Sequence, residues 1–79
     1  MGEQIKLIWD FFGEEAKPTA DHHAIHLKQF ADKEKITLHD VGSLKNSDDH
    51  SIAFMTIDAE HMIMVRDALR PKRGERVVS

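Results

Sequence analysis

The chain has 79 residues, no cysteine and a formal net charge of −3 at pH 7, and 41% of its residues are hydrophobic. This balance is typical of a globular protein and not of a disordered one. The absence of cysteine excludes disulfide bonds and thiolate metal sites. Because a chain of under about 80 residues builds only a small core, we expect a partner subunit, or less commonly a histidine and carboxylate metal site, to supplement it.

Charge and apolar patterning also limit the partners. A duplex-binding protein usually concentrates a basic surplus on one face, whereas the surplus here is acidic, so we expect no nucleic acid partner. The basic stretch from Arg66 to Arg76 is a local exception, and Arg66 and Arg70 suit the end of a helix because cations interact favourably with its dipole there. No apolar run approaches the roughly 20 residues that span a bilayer, and residues 1–4 do not resemble a targeting signal. We therefore expect a cytoplasmic protein with no membrane partner.

The first predicted element is a strand over residues 4–12, QIKLIWDFF, rich in β-branched and aromatic types. Because side chains alternate along a strand, it has two different faces. One face is wholly apolar and should meet the helices; it carries Ile5, Leu7, Trp9 and Phe11. The other is mixed, and we call it the open face; it carries Lys6, Ile8, Asp10 and Phe12.

A helix is predicted over residues 20–35, with Thr19 as its N-cap after Pro18. Spacing of 3.6 residues per turn groups its apolar residues into one stripe, with His23 at the edge. The stripe contains Ala20, Ala24, Leu27, Phe30 and Ala31. Ile25 falls outside it and has no obvious contact in a monomer.

In the second half of the chain, the sequence pattern predicts two strands and a helix. A strand over residues 36–45 is followed by a turn at residues 46–49 and by a strand over residues 51–57, SIAFMTI. This third strand is apolar on both faces, which is typical of the middle of a sheet. Asp58 is the predicted N-cap of a helix over residues 59–70, and Pro71 ends it. Residues 1–3 and 75–79 are either disordered or, at the C-terminus, an edge strand.

The predicted fold is therefore one α+β domain over residues 1–79, with the order β-α-β-β-α and an optional last β. A right-handed crossover places both helices on one face of an antiparallel sheet, which is the ferredoxin-like pattern. Ile8, Phe12 and one row of the third strand would then lie in water. Because a patch of that kind usually marks an association surface, we expect a homodimer joined through the open face.

Six histidines are the main candidates for chemistry, and three of them lie in the helix segment His22-His23-Ala24-Ile25-His26. His22 and His26 are four residues apart and can supply two ligands to a divalent metal, or can simply be solvated. His23, at the rim of the apolar stripe, is either a partly buried histidine or a general base oriented by Asp10. A third metal ligand would come from Asp10, Asp21, His39 or His50.

His50 and Trp9 complete the candidate site. His50 opens the third strand beside a turn, and it is either a turn residue or a ligand-binding residue near the end of the first strand. Trp9 stands among predicted core residues, and it would supply a flat apolar wall for a small ligand if it faced a cavity.

The first strand, IKLIWDFFG, and the helix TADHHAIHLKQF resemble the dimeric α+β barrel proteins, among them YCII-related, EthD-like and antibiotic-biosynthesis-monooxygenase-like families. The shared element is a first strand followed by a histidine-bearing helix, with His23 and Leu27, or His22 and His26. The topology fits the whole chain, and the motif covers residues 5–30. The resemblance implies two sheets packed face to face around a pocket, with His23 or His26, Asp10 and Trp9 nearest to it. This chain is shorter than fuller members, so closure of the barrel depends on its last strand.

Three functions follow from these patterns. The first is a small-molecule-binding protein or cofactor-free enzyme, of isomerase or monooxygenase type, in which a histidine acts as general base. The second is a non-catalytic dimeric regulatory or accessory module. The third is a divalent-metal or haem-binding protein, although a haem ligand on the second helix would have to be His61, near its start. We expect no cofactor, and we assign the pocket of the first function to Trp9, Asp10, His22, His23, His26 and His50.

Overall fold

Four strands and two helices follow one another along residues 3–77, the part of the chain that the computed structural model describes. Residues 1, 2, 78 and 79 lie outside it, and with them part of the two predicted terminal segments. The elements are β1 (Gln4–Phe12), α1 (Ala16–Glu34), β2 (Leu38–Ser47), β3 (His50–Asp58), a 3₁₀ turn (Ala59–His61), α2 (Met62–Leu69) and β4 (Arg73–Val77).

The strands form one sheet in the order β2-β3-β1-β4, and each neighbouring pair is antiparallel. β1 and β2 therefore run in the same direction, with β3 between them. This α+β arrangement of four antiparallel strands and two helices is compatible with the predicted ferredoxin-like fold. The central position predicted for the third strand is confirmed. All nine residues of β3 pair with β1 in continuous register, and eight of them also pair with β2.

The main core lies between the sheet and the two helices. Leu7 and Trp9 of β1 pack there with Leu27 of α1 and Val65 of α2, all at most 5% exposed. The prediction that this face of β1 meets the helices is confirmed. The indole N–H of Trp9 also donates to the carbonyl of Leu69, at 2.8 Å, which ties β1 to the last residue of α2.

Helix α1 begins at Ala16, four residues before the predicted start, and the prediction that Thr19 is its N-cap is wrong. The amide of Thr19 already bonds to the carbonyl of Glu15, at 3.0 Å, as a residue inside the helix does. Pro18 lies in the first turn, where its missing N–H would have had no partner within the helix. Proline therefore marked the first turn of the helix and not a boundary before it.

Asp58 is the N-cap residue of the helical segment that begins at Ala59, as predicted, but this segment starts as a 3₁₀ turn and the Asp58 side chain does not cap it. Asp58 has extended backbone angles, but its side chain makes no capping hydrogen bond. Its carboxylate instead accepts a hydrogen bond from Nε2 of His39, at 2.8 Å. A 3₁₀ turn then leads into α2, and neither helix within residues 3–77 is long and apolar enough to cross a bilayer.

The open face is less exposed than predicted. Ile8, Ile52 and Phe54 form a second small apolar cluster there, and they are only 2%, 6% and 8% exposed, so the prediction that Ile8 lies in water is wrong. The ammonium group of Lys6 covers the Phe54 ring at 4.4 Å from its centroid. Gly42 allows that ring to lie close to the sheet, since a Cβ at this position would be 3.2 Å from Phe54 Cζ.

Phe12, by contrast, is 75% exposed on this face, as predicted, and Leu44 of β2 is 51% exposed. The register places Leu44 opposite Ile52, and Phe12 opposite His50, so both exposed side chains lie on the open face. β4 pairs with β1 and forms the other edge of the sheet. Of the two alternatives predicted for the C-terminal segment, disorder or an edge strand, residues 75–77 therefore form the edge strand.

Candidate functional site

Four polar side chains, one from each strand, form a hydrogen-bonded row across the open face. Asn46 of β2 contacts Nδ1 of His50 at 3.2 Å, and Nε2 of His50 contacts Oδ1 of Asp10 at 2.8 Å. Arg73 of β4 completes the row, since its Nη2 and Nε lie 3.0 and 3.3 Å from the two carboxylate oxygens of Asp10. We refer to Asn46, His50, Asp10 and Arg73 as the four-strand row.

Strand register explains why these residues meet. β1 and β3 pair with Phe12 opposite His50 and Asp10 opposite Ile52, so Asp10 and His50 are diagonal neighbours on one face. An irregularity in β2 between Lys45 and Ser47 turns Asn46 towards His50. Arg73 of β4 pairs with Ile8 of β1, and its side chain reaches Asp10 from the side opposite His50.

The Asp10 carboxylate is the centre of the row and is largely shielded from water. The side chains of Asp10 and His50 are 17% and 18% exposed, whereas that of Arg73 is 47% exposed. Partial burial alone would raise the pKa of Asp10, but the hydrogen bonds and charges of Arg73 and His50 outweigh it and hold that pKa below its ordinary value. Asp10 is therefore an anion at neutral pH, paired on both sides.

This pairing fixes the proton on His50. An ionised carboxylate only accepts hydrogen bonds, so Nε2 of His50 donates to Asp10. Nδ1 is then the basic nitrogen, and it accepts a hydrogen bond from the amide of Asn46. A histidine with one nitrogen held by a carboxylate and the other facing an exchangeable partner can accept a proton, because the carboxylate stabilises the resulting imidazolium.

Phe12 adds an apolar surface to the row. Its ring stacks on that of His50, with centroids 4.7 Å apart and an angle of 15° between the planes. Because Phe12 is 75% exposed, part of its ring remains open to a ligand. The open face thus presents an aromatic surface, a basic nitrogen and a guanidinium group within one small area.

The structure does not bring Asp10 to His23, and the predicted role of Asp10 in orienting His23 is wrong. His23 lies on the other side of the sheet, with its ring centroid 5.1 Å from that of Trp9 and 5.4 Å from that of Phe11. Asp10 and His50, both predicted site residues, are together, but Trp9 and His23 are separated from them by the sheet. Trp9 is 5% exposed and already donates its N–H to Leu69.

His23 is a half-buried histidine, and among residues 3–77 its Nε2 atom is buried without a hydrogen-bond partner. Burial lowers the pKa of His23, and the charges of His26 and His22 lower it further. His23 is consequently held in its neutral form against the aromatic side chains of β1.

His22 and His26 form an exposed pair on α1, with their Nε2 atoms 2.9 Å apart. Within residues 3–77 no third imidazole or carboxylate lies close enough to complete a metal site with them. Of the four residues predicted to supply it, Asp21 bonds to Lys17 and Ser43. Asp10 and His50 bond to each other, and His39 bonds to Asp58.

Sequence reasoning missed Asn46 and Arg73 as site residues. The alternation of β1 did place Asp10 and Phe12 on the open face. The missing information was the pairing of β4, because only a strand beside β1 brings Arg73 to Asp10. The signal available in the sequence was the presence of cations next to the predicted edge strand, which could have been matched with the acidic Asp10 on the neighbouring strand.

A shallow cavity of about 180 Å³ lies elsewhere, at the opposite end of β1. It is lined by Glu3, Gln4, Ile5, Ala59, Met62 and Arg76 and contains no residue of the four-strand row. In comparisons with protein-family models, with curated proteins and with solved structures, nothing matches this chain.

The buried position of His23 predicts a pH-dependent stability. A histidine whose pKa is lowered by folding binds a proton more readily in the unfolded chain, so the free energy of unfolding falls as the pH drops below about 6.5, the ordinary histidine pKa. His23→Phe, which keeps a ring against Trp9 and Phe11, should reduce this loss. Urea unfolding at pH 8 and pH 5 measures it.

His22→Gln is the matched control for that experiment, because His22 is exposed one residue away on the same helix. It should retain most of the loss of stability between pH 8 and pH 5. Equal pH dependence in His23→Phe and the parent chain would show that folding does not disfavour protonation of His23.

Proposed function

We propose that this chain is a ferredoxin-like domain that dimerises through its open face and binds a small organic molecule against the four-strand row. The observation that carries the proposal is the row itself, because it concentrates a carboxylate, an imidazole and a guanidinium group on the one sheet face that no helix covers. The Asp10–Arg73 pair also stabilises the sheet edge, but a stability role alone does not require the exposed aromatic ring of Phe12 beside it.

The available groups define the ligand class. Arg73 uses Nε and Nη2 on Asp10, and its 47% exposed side chain leaves the other edge of the guanidinium towards solvent. A guanidinium group of this kind binds carboxylate or phenolate oxygens well. Phe12 supplies a flat apolar surface close by. A planar molecule that carries a carboxylate or a phenol matches both groups.

The chemistry that this site supports is proton abstraction. His50 would accept a proton at Nδ1 after the Asn46 amide moves aside, either from a carbon beside a carbonyl group or from a phenol. Asp10 would keep the ring in the correct tautomer and stabilise the cation. Positioned general bases of this type typically accelerate reactions by about 10² to 10⁴-fold. In this proposal His50 takes the general-base role that the sequence assigned to His23 or His26.

A dimer would complete the site. Phe12 and Leu44 are exposed on the open face, and large apolar side chains are shielded when two sheets pack face to face at about 10 Å. The same contact would enclose the two four-strand rows and exclude water from them. A chain of 79 residues also gains stability that its small core does not supply.

A non-catalytic dimeric module is the second candidate, and one observation favours it. Ile8, Ile52 and Phe54 are already buried within a single chain, so the apolar floor of the open face is already covered without a ligand. This alternative shares the dimer but predicts no ligand, so the ligand-binding experiment below separates it from the first proposal.

Ligand binding is tested by NMR on ¹⁵N-labelled protein titrated with benzoate and 4-hydroxybenzoate. We expect amide shifts centred on Phe12, His50 and Arg73. Arg73→Gln should weaken binding at least tenfold, because it removes the charged donor. His22→Gln, on the helix side, should leave binding unchanged. Absence of shifts with both probes, or shifts centred on α1, would contradict the ligand site and leave the dimeric module.

Dimerisation is tested by sedimentation velocity at micromolar concentration. We expect the parent chain to sediment as a dimer and Phe12→Asp to sediment as a monomer, because a charge at position 12 cannot be buried between two sheets. Ile25→Asp is the matched control, since Ile25 is 56% exposed but lies on α1. A monomeric parent chain, or a dimer disrupted by Ile25→Asp and not by Phe12→Asp, would contradict association through the open face.

A further inference from the structure

A second group of potential ligands lies at the other end of β3 from His50. Asp58 is the last residue of β3, and Glu60 and His61 belong to the 3₁₀ turn that follows. Their carboxylate and imidazole ligand atoms all lie within 4.8 Å of one another. We call these three residues the turn cluster. Asp58 lies eight positions after His50 along β3, a distance of about 26 Å, so the turn cluster is independent of the four-strand row.

The turn geometry explains the convergence. Asp58 has extended backbone angles and comes directly before the 3₁₀ helix Ala59–His61, whose tight turn brings the side chains of Glu60 and His61 back near that of Asp58. Glu60 lies beside them, with Oε1 3.6 Å from Nε2 of His61. The side chains of Asp58 and His61 are about one third exposed, so they are partly held by the fold, whereas Glu60 is 77% exposed and free to adjust.

His39 gives the turn cluster a supporting contact from another strand. Its Nε2 lies 2.8 Å from Oδ1 of Asp58, and the two side chains are each 32% exposed. A carboxylate fixed in this way presents its second oxygen in a defined direction. Carboxylates that bind metals in proteins are commonly held by such hydrogen bonds, and their loss typically weakens metal binding by about 10 to 100-fold.

We propose that Asp58, Glu60 and His61 bind a divalent transition metal ion of the zinc class, with His39 orienting Asp58. One imidazole and two carboxylates favour Zn²⁺ or Co²⁺ over Mg²⁺ and Ca²⁺, which prefer oxygen ligands alone. Tetrahedral zinc, at about 2.1 Å from each ligand, requires ligand atoms about 3.4 Å apart. Movement of the exposed Glu60 side chain, together with a small adjustment of the partly exposed His61 towards Asp58, brings the turn cluster to that spacing. Three protein ligands leave a fourth position for water or an external ligand.

Zinc binding is measured by isothermal titration calorimetry on untagged protein at pH 7, with Co²⁺ absorption as a second readout. We expect one Zn²⁺ per chain and a tetrahedral Co²⁺ spectrum. Glu60→Gln and His61→Gln should each weaken binding at least tenfold, and because neither residue is buried we expect circular dichroism to show an intact fold for both variants. His39→Gln should weaken binding less, because its imidazole does not contact the metal.

The matched control is the double variant His22→Gln/His26→Gln, which removes the other close pair of imidazoles. It should retain the stoichiometry and affinity of the parent chain. Three results would each overturn the proposal: no saturable Zn²⁺ binding, binding that survives His61→Gln but not the His22/His26 double variant, or displacement of Zn²⁺ by millimolar Mg²⁺, which indicates only general attraction to carboxylates.

Discussion

The pairing of the Asp10 carboxylate is the interaction on which much of the structure depends. Asp10 lies on a central strand with only 17% of its side chain exposed, and an unpaired charge in such a position is costly. His50 and Arg73 remove that cost from the two neighbouring strands. The Arg73 contact is also important for β4, because every residue of that strand is classed as exposed. Backbone pairing with β1 and the Asp10–Arg73 ion pair hold this edge of the sheet.

The sheet separates two chemically different environments. On the helix side, His23 is kept neutral among aromatic rings and its Nε2 lacks a partner within residues 3–77. On the open face, His50 has partners at both nitrogens and an anion beside it. In the second environment a carboxylate lies beside the ring, whereas in the first the ring is surrounded by aromatic side chains. This difference is the physical reason to assign general-base chemistry to His50 in the proposal.

Sequence periodicity predicted what depends on local pattern. Alternation in residues 4–12 gave the two faces of β1, and the doubly apolar segment gave the central position of β3. Features that depend on long-range register were not accessible: the Asp10–Arg73 contact spans 63 residues and requires β4 to pair with β1. Side-chain packing on the open face could not be predicted from the sequence either. Phe54 is shielded without a helix above it because Lys6 covers its ring and Gly42 lets the ring lie close to the sheet. The start of α1 was predicted too late because proline is accepted within the first turn of a helix as well as before it, and Pro18 lies within that turn.

The tautomer of His50 is the most direct test of the four-strand row, because Asp10 can accept a hydrogen bond from His50 only if Nε2 of His50 carries the proton. Long-range ¹H–¹⁵N NMR correlations on the parent chain at pH 7.5 distinguish the two ring nitrogens. The account predicts a protonated Nε2 and a bare Nδ1 for His50, and Asp10→Asn should remove this preference. A proton on Nδ1, or the same tautomer mixture in both proteins, would contradict it.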